Sequence, residues 1–238
     1  MKMERGLRQA AMAALLVLLF STSLSAAAQT GPSPAEAARY TGLHAAAQRG
    51  DVALIDRLTA GGANRPDLNA RDGHGRTPVH VAAFARQREA IRALARAGAN
   101  LELLENDRYD AVTIAAVAGD DETLRVLLSL GASARLTTSA YDGTALIAAA
   151  HLGHVGVVKQ LISAGAPLDH VNNLHWTAVI ESIVLGDGGA RHQDTLRALL
   201  AAGANTQLAD RGGNTPLQMA KARSYQEMVS MLERYGAK

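Results

Sequence analysis

The chain has 238 residues, of which 48% are hydrophobic and 19% are charged. It contains no cysteine, which excludes disulfide bonds, thiolate nucleophiles and cysteine-ligated zinc. Three of its 24 basic and one of its 22 acidic residues lie in the first 28 positions, so 21 of each remain, without the concentrated positive charge typical of nucleic-acid-binding proteins.

Residues 1–28 have the three parts of a secretory signal peptide. Lys2, Arg5 and Arg8 form a basic start, an apolar segment follows at 10–20, and alanine occupies 26–28. We predict cleavage before Gln29 and export to a bacterial periplasm, with secretion beyond it as the alternative. An uncleaved membrane anchor is the competing interpretation, but the apolar segment is short for a membrane span. We therefore expect no stable membrane insertion after cleavage.

Residues 29–40 are predicted to form a linker and a short N-terminal cap helix. Ser33 and Glu36 have the spacing of a capping box, in which each side chain satisfies the backbone N–H of the other. Pro34 lies between them, where the missing N–H of a first-turn proline costs nothing. The helix is expected over residues 34–39.

A Gly-Ala dipeptide closes an apolar run six times along the rest of the chain. The glycines are Gly62, Gly98, Gly131, Gly165, Gly203 and Gly236. Leucine stands four positions before each glycine, and another large aliphatic residue stands three positions further back. Apolar residues three apart share one helix face, and glycine readily ends a helix in the left-handed conformation. The pattern predicts one amphipathic helix in each of six units.

A preceding helix in each unit is predicted from its N-cap residue. The cap residues are Thr41, Thr77, Asp110, Thr144, Thr177 and Thr215. Their side-chain oxygens can accept a hydrogen bond from a free N–H at a helix start, and Pro78 and Pro216 follow two of them. Alanine or serine stands five positions after every cap, which lets neighbouring helix pairs approach closely. Each unit is therefore a pair of helices.

These motifs resemble the ankyrin repeat. Segment 77–83 reads Thr-Pro-Val-His-Val-Ala-Ala, segment 43–46 reads Leu-His-Ala-Ala, and the cap spacings of 33 to 38 residues cluster on the 33-residue ankyrin period. The resemblance implies an all-α solenoid of about six stacked helix-turn-helix units over residues 41–238, with projecting β-turn or hairpin loops. Four units depart from it by lacking the motif proline, at Gly42, Ala111, Ala145 and Ala178.

No motif of an enzyme or a cofactor site occurs in the sequence. Gly-x-Ser-x-Gly, His-Glu-x-x-His and Gly-x-x-x-x-Gly-Lys are all absent. We interpret His44, His80 and His154 as structural, since they occupy histidine positions of the ankyrin motif. The expectation is a protein without catalytic activity, cofactor or metal.

The fifth unit carries about five extra residues at 186–192. We interpret its glycine-rich part, 186–189, as a flexible connection between helices. The alternative, from the enzyme class, is that the insertion and the turn bearing His170 and His175 bind or hydrolyse a small molecule or cell-wall fragment. That hypothesis predicts a closed pocket with convergent polar groups.

The resemblance implies a protein-binding scaffold that uses a concave groove lined by turn tips and first helices. Residues just before the caps and late in the first helices stand there, and Tyr, Trp and Arg among them are typical of binding hot spots. The candidate partner-binding residues are Arg76, Phe84, Tyr109, Tyr141, His151, Leu152, His175, Trp176, Leu185 and Asn214. We expect a monomer with an unidentified protein partner and no nucleic acid. The resemblance further implies a link to oxidative-stress protection; a secreted effector that binds host proteins is the alternative.

Overall fold

The computed structural model describes residues 29–62 and 65–238. By their contacts, residues 31–238 form one compact unit, which contains the repeats. The predicted signal peptide, residues 1–28, lies outside the described residues, as do Ala63 and Asn64.

The described part of the chain is built from short helices. In chain order they are α1 (Pro34–Arg39), α2 (Gly42–Arg49), α3 (Val52–Thr59), α4 (Pro78–Phe84), α5 (Arg88–Arg96), α6 (Ala111–Val117), α7 (Asp121–Ser129), α8 (Ala145–Leu152), α9 (Val155–Ser163), α10 (Ala178–Val184), α11 (Ala190–Ala201), α12 (Pro216–Ala222) and α13 (Gln226–Arg234). Helix α1 is the cap helix, at the predicted position. The others form six consecutive pairs, and each first helix packs against the first helix of the next pair.

The predicted cap residues stand at the starts of the first helices. The carboxylate of Asp110 accepts a hydrogen bond from the N–H of Thr113 at 2.9 Å, and Thr144, Thr177 and Thr215 act in the same way. At the second unit's cap, the N–H of Thr77 donates to His80 Nδ1 at 3.1 Å. The side chain of Thr41 makes no capping hydrogen bond. The following residue, Gly42, has a φ of +52°, so the first unit begins with a different backbone geometry from the others.

The core is the continuous aliphatic column that the sequence pattern indicates. Leu94, Leu127, Leu161, Leu199 and Leu232 are all 0% exposed. The small residue five positions after each cap is likewise buried, at Ala46, Ala82, Ala115, Ala149, Ser182 and Ala220. Burial of one leucine side chain contributes about 1.5–3 kcal/mol, so the shared column supplies most of the stability that no single helix pair could provide. Leu58, in the first unit, is only partly buried.

Five of the six repeat glycines end their helices in the predicted left-handed conformation. Gly98, Gly131, Gly165, Gly203 and Gly236 have φ values between +79° and +95°. The prediction is wrong for Gly62, which is not among the residues with positive φ. Helix α3 ends at Thr59, three residues before Gly62, whereas the other second helices end two residues before their glycine.

The projecting turns form a hydrogen-bonded row beside the helices. Within the third unit's turn, the N–H of Glu105 donates to the carbonyl of Tyr109 at 3.0 Å. Between turns, the N–H of Asn106 donates to the carbonyl of His74 at 3.0 Å, and that of Asn173 donates to Tyr141 at 2.9 Å. Among the described residues, strand-type pairing is limited to the isolated bridge between Thr138 and Gly143.

Histidine side chains tie neighbouring units together. Nε2 of His44 donates to the carbonyl of Arg76 at 2.9 Å, and Nε2 of His80 donates to that of Tyr109 at 3.1 Å. Nε2 of His154 donates to the carbonyl of Val117 at 3.2 Å. Because a carbonyl only accepts, the bonded nitrogen must carry the proton. The structural interpretation of these three histidines is confirmed.

Candidate protein-binding site

Three aromatic residues stand on adjacent turns with part of each side chain open to solvent. Tyr109, Tyr141 and Trp176 are half-buried. Turn side chains hold their backbones: the N–H of Tyr109 donates to Glu105 Oε1 at 3.1 Å, and the N–H of Trp176 donates to Asn172 Oδ1 at 2.9 Å. These aromatics therefore have fixed backbones, which reduces the entropy lost when a partner binds.

Arg76 does not stand on the surface, and the expectation of an exposed guanidinium is corrected. Its side chain is 3% exposed, with Nε 2.8 Å from Asp72 Oδ2 and an Nη atom 2.6 Å from Glu36 Oε1. The hydroxyl of Tyr40 also donates to Asp72 Oδ2, at 2.6 Å. Arg76 lowers the pKa of the Asp72 carboxyl to about 2 together with the Tyr40 hydroxyl, against the opposing effect of burial. The guanidinium joins the cap helix to the second unit's turn.

The remaining predicted residues differ in how much surface they present. Phe84 is half-buried and lies against Gly31, and His151, Leu152 and Leu185 are half-buried at the late positions of first helices. His175 is exposed and has a φ of +62°. Asn214 is exposed, and its amide donates to both carboxylate oxygens of Asp210 at 3.1 Å.

The 186–192 insertion is packed against the repeats, contrary to its interpretation as a flexible connection. A side chain at Gly186 would collide with the Ser182 carbonyl, and one at Gly188 would collide with the Tyr225 ring. The Tyr225 hydroxyl donates to the Gly186 carbonyl at 3.2 Å. These contacts pack the insertion against Ser182 and Tyr225. The insertion also lengthens helix α11, which has twelve residues where the other second helices have eight or nine.

His192 anchors the insertion from within α11. It is 5% exposed, with Nδ1 2.8 Å from Asp187 Oδ1 and Nε2 2.9 Å from the carbonyl of His151. His170, in the neighbouring turn, uses Nε2 to donate to the carbonyl of Asp142 at 2.6 Å. Both rings are therefore committed to bonds within the chain. No group of three or more His, Asp or Glu side chains that could hold a metal ion occurs in residues 29–62 and 65–238.

Glu181 is a buried polar residue that the sequence motifs did not single out. It stands four positions after its cap, where the other five units have Ala45, Val81, Ile114, Ala148 and Met219. Glu181 is nevertheless 4% exposed. Burial raises the pKa of its carboxyl from 4.5 to about 7. An alignment of the six residues that stand four positions after the caps would have revealed this acid, because the other five are apolar.

Asn172 supplies the hydrogen bond that Glu181 receives. Its Nδ2 donates to Glu181 Oε1 at 3.1 Å, while its Oδ1 accepts the N–H groups of Leu174 and Trp176. The equivalent turn position carries an acid in three other units, at Asp72, Glu105 and Asp210. An acid at 172 would place a second carboxylate beside Glu181, whereas the asparagine holds the turn and also donates.

A family model described as "Ankyrin repeats (3 copies)" matches residues 9–105, 43–138 and 112–210. The chain belongs to the ankyrin-repeat family. The all-α repeat architecture expected from the sequence is thereby confirmed. Ankyrin repeats are typically modules of protein–protein interaction without catalytic activity.

Known ankyrin-repeat proteins match almost the whole repeat region. The putative ankyrin repeat protein YahD of Escherichia coli is 31% identical over 193 residues, which cover 81% of this chain and 94% of YahD. A crystal structure of an ankyrin repeat domain from Acinetobacter baumannii AYE is 41% identical, with a TM-score of 0.77, over 82% of this chain and 98% of that domain.

A third similarity involves a protein complex. One chain from the structure of the Bd0816 predatory endopeptidase of Bdellovibrio bacteriovorus with the immunity protein Bd3460 is 26% identical to this chain. The TM-score is 0.63, over 82% of this chain and 98% of that chain.

Among the described residues of the present protein, no helix has the length and apolar character needed to cross a membrane.

Proposed function

We propose that this protein is a non-enzymatic scaffold in the bacterial periplasm that binds a protein partner through the face formed by its turn tips and first helices. The observation that carries the proposal is the row of half-buried Tyr109, Tyr141 and Trp176 on successive turns. Large aromatic side chains on rigid backbones provide contact area at low entropic cost and are enriched in binding hot spots.

Two further observations support parts of the proposal. The basic start, apolar segment and small residues of the leader favour export. A structural neighbour taken from an endopeptidase–immunity protein complex supports a protein as the partner class.

We also propose a contribution to oxidative-stress protection. The absence of cysteine is compatible with an oxidising compartment. Peroxide survival of a strain lacking the protein, compared with the complemented strain, tests that contribution.

The binding face is tested by capturing a partner with residues 29–238 and then measuring affinity for the purified partner. We expect Trp176→Ala to weaken binding by about 2 kcal/mol, or about thirtyfold, because a central aromatic anchor is lost. Tyr109→Ala should also weaken binding. Tyr235→Ala is the matched control, since Tyr235 is a 47% exposed aromatic residue at the end of the last second helix, outside the proposed face.

Substitutions on the turn face and at the control position should affect partner binding differently. The proposal requires that Trp176→Ala and Tyr109→Ala weaken binding while Tyr235→Ala leaves it unchanged. Affinity that is unaffected by both turn variants, in folded protein, would place the interface elsewhere.

A further inference from the structure

The buried carboxyl of Glu181 has one oxygen without a hydrogen-bond donor among the described residues. Oε1 accepts from Asn172 Nδ2 at 3.1 Å. The nearest basic atom to Oε2 is His151 Nδ1, at 3.8 Å, which is too long for a hydrogen bond. Burial and the nearby His192 lower the pKa of His151, so its ring is neutral at neutral pH and does not compensate a carboxylate.

Three basic side chains on or beside the neighbouring helices are engaged by other groups. On α12, which packs against the Glu181 helix, Lys221 pairs with Glu233 at 2.9 Å. Just after α12, an Nη atom of Arg223 lies 3.5 Å from the carbonyl of Val184. On α11, the His192 ring is held by Asp187 and by the His151 carbonyl. Neutral His151, at 3.8 Å, is therefore the basic side chain nearest to Glu181 in the described chain, and no charged partner lies within salt-bridge distance there.

The location of the carboxyl connects it to the proposed binding face. Asn172 bonds both Glu181 and the backbone of Trp176, so the carboxyl lies directly behind the turn that carries this aromatic residue. His151 lies on the preceding first helix beside Oε2, and 36% of its side chain is exposed to solvent. A cationic group that passes His151 would meet a free acceptor in a desolvated setting, where charge-assisted hydrogen bonds are strong.

We propose that Glu181 Oε2 accepts the guanidinium or ammonium group of an arginine or lysine side chain of the protein partner, beside Trp176 and His151. This inference rests on the proposed function, because the cation belongs to the protein that occupies the binding face. Asn172 is the positioning residue that holds Oε1 and leaves Oε2 for the partner.

Binding of a cation at this site is linked to loss of a proton from Glu181. The pKa of about 7 leaves much of the free carboxyl protonated near neutrality, and the protonated form has no negative charge to offer. A bound cation favours the carboxylate, so it must lower that pKa. Affinity should consequently rise by about thirtyfold between about pH 5.5 and about pH 8.

The test uses residues 29–238 and two small probes, Nα-acetyl-arginine amide and its uncharged analogue Nα-acetyl-citrulline amide. The side-chain carboxyl resonance of Glu181, followed by ¹³C NMR across pH, reports its pKa with and without each probe. We expect the arginine probe to lower the pKa and to bind with the stated pH dependence, and the citrulline probe to do neither. In Glu181→Gln, arginine-probe binding should be lost, whereas the exposed-site control Glu227→Gln should bind as wild type does.

The pKa of Glu181 in the wild-type protein is measured without any substitution, so the test does not depend on the folding of a variant. An unchanged pKa with the arginine probe up to its solubility limit, equal effects of both probes, or unchanged binding in Glu181→Gln would each overturn the inference. Once the partner is identified, weaker binding by Trp176→Ala with wild-type binding by Glu181→Gln would leave the proposed function standing and reject the Glu181 site alone.

Discussion

Replacing Glu181 by glutamine should make the protein more stable at neutral and alkaline pH. Burial raises the pKa of this carboxyl from 4.5 to about 7, so the ionised form is disfavoured in the folded chain relative to the unfolded chain. Each pKa unit corresponds to 1.36 kcal/mol, and the full shift therefore costs about 3 kcal/mol of unfolding free energy. Glutamine preserves the size of the side chain and its acceptor for Asn172 while removing the charge.

The pH dependence of this stability difference follows from the protonation of Glu181 in the folded and in the unfolded chain. Below about pH 4.5 the carboxyl is protonated in both states and costs nothing. Between about pH 4.5 and pH 7 the unfolded chain has lost the proton and the folded chain retains it, so wild-type stability falls as pH rises. Above about pH 7 the cost is complete. The stability advantage of Glu181→Gln should thus grow by about 3 kcal/mol from about pH 4 to about pH 8.

Urea unfolding of both proteins across this pH range, with constant slopes, measures the difference directly. Glu227→Gln is the control, because Glu227 is exposed and removing its charge should give no comparable pH dependence. A stability difference between Glu181→Gln and wild type that stays constant over the whole range would refute the reasoning, since it would mean that the carboxyl titrates alike in both states.

Three other predictions concern the core, the cap and the leader. Leu127→Ala should lower the unfolding free energy by about 3 kcal/mol and Leu58→Ala by clearly less, because only the former is fully buried; equal losses in urea unfolding would contradict the shared column. Arg76→Met should cost about 2–3 kcal/mol by removing the guanidinium from its two carboxylate partners; a neutral or stabilising result would show that the network contributes nothing. Mass spectrometry of the exported protein should give Gln29 as its first residue, and Ala28→Tyr should retain the leader; another start site would reject the predicted cleavage.

The fold was largely predictable because its determinants recur within each unit. The residues at 94 and 127 are leucines for the same reason, namely that each helix pair must bury the same face against its neighbour. Cap residues and the terminating glycines likewise act over one helical turn, which a sequence pattern captures directly. Gly62 deviates because the first unit ends differently, although it carries the same dipeptide.

The candidate site was less predictable because its determinants lie between units. Arg76 is buried in contact with Glu36 of the cap helix, which lies forty positions away in the sequence. The order of the 186–192 insertion depends on Tyr225, a residue of the following unit. Glu181 owes its environment to Asn172 in the turn and to His151 on the preceding helix. A count of residue types in columns identifies the half-buried turn aromatics, but it does not assign these tertiary contacts.

Binding of a protein partner at the turn face is tested most directly by site-specific photo-crosslinking in the native host. A photoreactive phenylalanine derivative at position 176 should form a covalent adduct with one protein, and the same derivative at position 235 should not. Adduct formation from position 235 alone, with none from position 176, would contradict the account.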